Sequence, residues 1–126
     1  MDAEARALAI KAAQILDKKK AHALSVIEVT DVTEIADYFV ICTGNSSTQV
    51  KSFADEVEFK LKQDGILPGH IEGHQGRSWI VMDYHSVVVH IFDPQARDFY
   101  DLEHLWQDGK KLPPEEYVTA DAAEQQ

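Results

Sequence analysis

Two apolar runs separated by two residues most constrain the fold. Trp79–Tyr84 (WIVMDY) and Val87–Phe92 (VVVHIF) flank His85-Ser86, and this spacing predicts a β-hairpin. With the turn centred on His85 and Ser86, Asp83 faces Val88, Val81 faces His90 and Trp79 faces Phe92. Tyr84–Val87, Met82–Val89 and Ile80–Ile91 pair on the other side, because side chains alternate with period two. One face is then almost wholly apolar and reads as core. The other mixes Trp79, Val81, Val88 and Phe92 with one carboxylate, Asp83, and one imidazole, His90. Such a face suits a partner-binding surface with a Trp anchor. It equally suits a covered layer in which Asp83 and His90 pair beneath a helix.

The rest of the chain supplies the covering material. Ala5, Leu8, Ala9, Ala12, Ile15 and Leu16 recur at helical spacing and predict an amphipathic helix from Ala3 to about Lys19. Leu24–Thr30 reads as a short strand, and Tyr38–Cys42 as a central strand apolar on both faces. Ser46 and Gln49 match a capping box. The helix they open carries Val50, Phe53, Ala54, Val57 and Leu61 on one stripe, leaves Phe59 off it and stops at Gly65. Leu67–Glu72 is a weaker edge segment broken by Pro68 and Gly69. Pro94 to Leu105 reads as a short helical segment, and the residues from Leu112 on as a disordered acidic tail. The expected fold is a single α/β domain, residues 1–111, with a mixed five-stranded sheet flanked by helices. Two long helices and a short one for five strands leave part of the sheet uncovered.

Charge and cysteine usage narrow the partners. Twelve Lys and Arg stand against 22 Asp and Glu, a net charge of −10, which disfavours nucleic acid and favours a basic protein. The basic run Lys18–Lys20 closes the first helix, where cations suit the helix dipole. Cys42 is the single cysteine and reads as a small buried residue, so no intrachain disulfide forms. The acidic start MDAEARALAIKAA lacks the order of a secretory signal, and the expected location is cytoplasmic. His70 and His74 have zinc-like spacing, but Gly69, Gly73 and Gly76 oppose a helix there and no third ligand is apparent. The expectation is no metal and no cofactor. A backbone-cradled anion at Gly44–Ser47 is conceivable, although helix capping accounts for those residues.

Five stretches together resemble the ribosomal silencing factor, or Iojap, family. They are Ala36–Val50 (ADYFVICTGNSSTQV), Glu72-Gly73, Trp79–Tyr84, Val87–Phe92 and Arg97–Trp106 (RDFYDLEHLW), spanning roughly Ala5 to Trp106. The resemblance implies a translational repressor that binds the large ribosomal subunit through the basic ribosomal protein L-fourteen. Bound there, it blocks joining of the small subunit when nutrients are scarce. It also implies partner-binding roles for Trp79, Asp83 and Tyr84, with His90 and Glu72 as additions, and a nucleotidyltransferase-like fold. The pairing above points Tyr84 into the core, against that role. His85 departs from the glycine many members carry at the turn, and a left-handed residue there is harder for His. An exposed apolar strip would also let two copies pair when free.

The fold named by the resemblance makes an enzyme the rival reading. Nucleotidyltransferases follow a Gly-Ser turn with an acidic pair, one residue apart on a strand, that clamps magnesium. Thr43–Ser46 loosely matches the turn, but Asp83 stands alone and Asp93 follows the next strand. The expected protein is not an enzyme.

Overall fold

A computed structural model describes residues 2–73, 75–76 and 78–118. The hairpin forms in the expected register: β4 (Trp79–Asp83) and β5 (Val87–Phe92) pair Trp79 with Phe92, Ile80 with Ile91, Val81 with His90, Met82 with Val89 and Asp83 with Val88. β5 lies parallel to β2 (Tyr38–Thr43), and every residue of both strands is buried. Strands covered on both faces need a layer on each side, and the chain builds two.

The first layer is α1 (Asp2–Lys18) and α2 (Ser47–Gln63). Ala5, Ala9, Ala12, Ala13 and Leu16 of α1 join Val50, Phe53, Ala54, Val57 and Leu61 of α2 over Val40, Cys42, Ile80, Met82, Val89 and Ile91. The α2 stripe is the one its periodicity predicts. Ser46 Oγ accepts from Gln49 N at 3.1 Å, and the Gln49 side chain accepts from Asn45 N at 2.7 Å. At the other end, Gly65 at φ 79° donates to Lys62 O while Ile66 N reaches Leu61 O. This paired closure is the Schellman arrangement.

The remaining strands are β1 (His22–Glu28), β3 (His70–Glu72) and a two-residue β6 (Lys110–Lys111), giving the order β3-β4-β5-β2-β1-β6. The sheet therefore has six strands, not five. β6 escapes sequence reading because two exposed lysines carry no alternation; charge of this kind instead blunts a sheet edge. The Pro94–Leu105 segment is two helices, α3 (Pro94–Tyr100) and α4 (Leu102–Leu105), broken by Asp101 at φ 48°. The disordered tail expected from Leu112 is corrected over residues 112–118. Leu112 and Tyr117 are buried in the α1/α2 core, and Glu116 pairs with Arg6. Residues 119–126 lie outside the described residues.

The second layer is α3 and α4, held by Arg97. Its guanidinium donates to both Glu103 oxygens, at 2.9 and 2.7 Å, and to Thr43 Oγ1 on β2 at 2.8 Å. The fork thus ties both short helices to the sheet, and its hydrogen bonds hold the Glu103 carboxyl below its usual range. Arg97→Met should lower the urea unfolding midpoint by the equivalent of about 2 kcal/mol, since it leaves a half-buried carboxylate unpaired. Arg97→Lys should recover only part of the loss, because an ammonium lacks the planar fork. Wild-type midpoints for both variants would refute this role.

Candidate functional site

Register places the candidate residues. His70 pairs with Asp83 and Glu72 with Val81, so both β3 side chains share the face of Trp79, Val81 and Asp83. Further in, that face continues through His90, Phe92, Val88 and Phe39, where Ala96, Leu102 and Trp106 of the second layer cover it. The outer half, β3 with the exposed side of β4, is left open. Glu72 and His70 are exposed, with their side chains paired at 2.5 Å, and Trp79, Val81 and Asp83 are half-buried. The mixed face is covered over its inner half and open over its outer half.

Trp79 stands at the boundary. Its Nε1 donates to His90 Nδ1 at 3.1 Å, and its ring stacks on Phe92 at 5.1 Å and against Tyr100 of α3 at 4.5 Å. Phe39 meets the His90 ring edge-on at 4.9 Å. His90 is 6% exposed, and burial drives its pKa down to about 4, so the imidazole is neutral at pH 7. Because Nδ1 accepts, the ring proton sits on Nε2, which is buried without a hydrogen-bond partner. His90 is therefore a support beneath Trp79 and not a surface contact. The Asp83–His90 pair weighed from sequence does not form.

Tyr84 departs furthest from its expected role. It is 5% exposed and packs in the α1/α2 core, its hydroxyl buried without a partner. Burial, and secondarily the nearby Glu58 charge, push its pKa up to about 12. Period-two alternation puts it there, on the side opposite Trp79, Asp83 and Glu72.

Asp83 shapes the hairpin end. Its Oδ1 accepts from His85 N at 2.7 Å, while Ser86 N closes a three-residue turn on Tyr84 O at 3.0 Å. His85 sits at φ 73°, a left-handed value that a side chain tolerates poorly. Its ring lies over Gly69, where an added Cβ would come within 2.8 Å of Nε2. At the other end of β4, Gly73 at φ 96° passes so close to the Trp79 carbonyl that any Cβ would collide with it. This contact explains the glycine of the Glu72-Gly73 motif, since no side chain fits against the Trp79 carbonyl.

The acids considered for catalysis are committed elsewhere. Asp93 caps α3, its Oδ1 accepting from Ala96 N at 2.8 Å, and Asp83 holds the turn. The Ser46 hydroxyl caps α2. Cys42 is fully buried, which raises its pKa to about 12 and keeps it a thiol. No group of three or more His, Cys, Asp or Glu among the described residues could hold a metal ion. His74, which the zinc reading needs, lies outside them. Sequence reasoning missed the contribution of the second layer. Phe99 and Leu105 are 81% and 65% exposed, and Tyr100 extends the Trp79 stack. Their signal lay in the Arg97–Trp106 motif.

Comparison with known proteins agrees with these features. Residues 2–126 match the family model described as "Ribosomal silencing factor during starvation". A ribosomal silencing factor of Bacillus subtilis is 37% identical over 97 residues, covering 77% of this chain and 82% of that protein. That of Halalkalibacterium halodurans is 34% identical over 108 residues, covering 86% and 92%. The mouse protein "Mitochondrial assembly of ribosomal large subunit protein 1" is 30% identical over 97 residues, covering 73% of this chain but 42% of that protein. A crystal structure of a Chromobacterium violaceum protein superposes with a TM-score of 0.75 at 34% identity, covering 87% of this chain and 88% of that one. With its motifs, sheet order and these matches in agreement, the chain belongs to the ribosomal silencing factor family.

Proposed function

We propose that this protein represses translation in the cytoplasm by docking on the large ribosomal subunit through ribosomal protein L-fourteen and blocking the small subunit from joining. The carrying observation is the open outer half of the mixed face. There Trp79 is braced by His90, Phe92 and Tyr100 beside the carboxylates Asp83 and Glu72. A rigid aromatic anchor rimmed by acids, on a chain of net charge −10, suits a basic protein surface. The large-subunit name of the mouse relative supports the same partner. Trp79, Asp83 and Glu72 make the direct contacts, with Phe99, Tyr100 and Leu105 extending the patch. His90 and Tyr84 act from beneath, through packing. When no ribosome is bound, the exposed apolar strip pairs two copies. No helix among the described residues is long and apolar enough to cross a membrane.

Purified large and small subunits should fail to form full ribosomes when saturated with this protein, as read by sucrose-gradient sedimentation. Normal joining at saturation would sink the proposal. Trp79→Ala should weaken large-subunit binding by about 2 kcal/mol, roughly 30-fold, with the hairpin still folded. Unchanged binding by a folded variant would place the docking face elsewhere.

The buried imidazole gives a pH dependence with a definite sign. A histidine with a folded pKa of about 4 against an ordinary 6.5 binds fewer protons folded than unfolded between those values. Its contribution is therefore intact above pH 6.5 and is lost as pH falls, reaching about 3 kcal/mol near pH 4. Glu103, with its depressed pKa, adds a loss only at lower pH, within and below the ordinary carboxylate range. Urea unfolding at pH 7, 5.5 and 4.5 should show His90→Gln with a shallower loss than wild type. Equal slopes would assign the acid sensitivity to other groups.

A further inference from the structure

The face opposite the docking patch carries a cleft that the ribosome-binding reading does not use. Between α1 and the C-terminal half of α2 lies a cavity of about 420 Å³, within the size range of small-ligand sites. Four lysines line it, Lys11, Lys18 and Lys19 from the α1 side and Lys60 from α2, against two carboxylates, Glu56 and Asp64. Asp64 is paired with Lys11. Among the described residues, no carboxylate pairs with Lys18, Lys19 or Lys60.

Helix capping accounts for only part of this charge. Lys18 meets the C-terminal dipole of α1, as cations at helix ends do. Lys60 stands in the last turn of α2 and meets the dipole of that helix in the same way, whereas Lys11, two turns before Lys18, and Lys19, beyond the end of α1, answer to neither dipole. All converge on one concavity in a protein whose net charge is −10. Concentrated positive potential in a cleft attracts anions against the field of the whole molecule.

We propose that this cleft binds a nucleoside triphosphate. Ammonium groups on flexible stems suit phosphate oxygens as movable point charges. The partly buried Ile15, with the amides of Gln14 and Gln63, supplies an apolar floor and hydrogen-bonding edges for a base beside the lysines. A long nucleic acid fits less well. Leaving the cleft along α2, it would meet Asp55 and Glu58 and the general negative charge of the chain. A compact anion keeps its charge inside the lysine ring. The ligand would sit on the helical layer, away from the Trp79 face, so binding does not depend on docking to the ribosome.

Isothermal titration of the full chain with ATP, at low salt and without magnesium, tests this. Saturable binding is expected, weakening as salt rises. Lys18→Gln combined with Lys60→Gln should lower the affinity about tenfold or more, with the thermal unfolding midpoint lowered only slightly, since both side chains are exposed and lose no more than their helix-end charge. Lys51→Gln, a lysine paired with Asp55 outside the cleft, should bind as wild type. Three results would overturn the proposal: no saturation at millimolar ATP, full affinity in the double variant, or inorganic triphosphate binding as tightly as ATP. A single-stranded RNA that displaces ATP through the same lysines at lower concentration would overturn it in favour of a polymer site.

Discussion

The parallel pairing of β2 with β5 is the constraint from which the rest of the structure follows. Both strands are buried along their whole length, so each face must be roofed. Two long helices roof one face completely. The other receives only the short α3 and α4, and a roof of that size cannot reach the outer strands. The open half-face at β3 and β4 is thus a consequence of how much helix the chain has to spend. An antiparallel edge can remain wet on one side in a way the central pair cannot.

The two layers do different work. The α1/α2 layer is held by continuous apolar stripes, so its stability is spread over many side chains. The α3/α4 layer is small and leans on one polar fork, Arg97 to Glu103 and Thr43. That fork has a consequence for the aromatic anchor. By fixing α3 on the sheet it fixes Tyr100, and Tyr100 and Phe92, themselves 6.4 Å apart, form a three-ring cluster with Trp79. His90 completes the support by accepting the indole N–H, which it can do only as a neutral ring. In the proposed docking, such rigidity lowers the ordering cost of association, and three elements contribute to it.

Legibility in the sequence followed the strength of periodicity. The hairpin register was readable residue by residue because period two leaves one alternative, and that alternative would turn every core side chain outward. The α2 stripe and its caps were readable because apolar spacing, Ser46, Gln49 and Gly65 all agree. β6 was not, since two lysines have no pattern. The break at Asp101 was hidden because the left-handed φ of 48° falls on an aspartate and not on a glycine. Leu112 and Tyr117 were hidden among Pro and Glu, although each buries against the core. Of the site residues, alternation placed Trp79 and Asp83 on one face, while Glu72 came only from the family resemblance and is set beside that face by the β3–β4 register. The same alternation pointed Tyr84 to the core side, where it is buried.

The positions of His85 and Gly73 sharpen what the open face requires. A turn at φ 73° without glycine is strained, and the Asp83 carboxylate offsets part of the strain by holding the His85 amide. Asp83 then has two demands on one side chain, since an oxygen engaged with the backbone is less free for a partner. Glu72 differs in this respect. Its side chain pairs with His70 in solvent, a contact that is screened and readily exchanged. In the proposed docking, charge therefore comes more freely from Glu72, while Asp83 contributes shape as much as charge. Trp79, at the opposite end of β4 from Asp83 and held there by Gly73 and His90, supplies the apolar area of the same face.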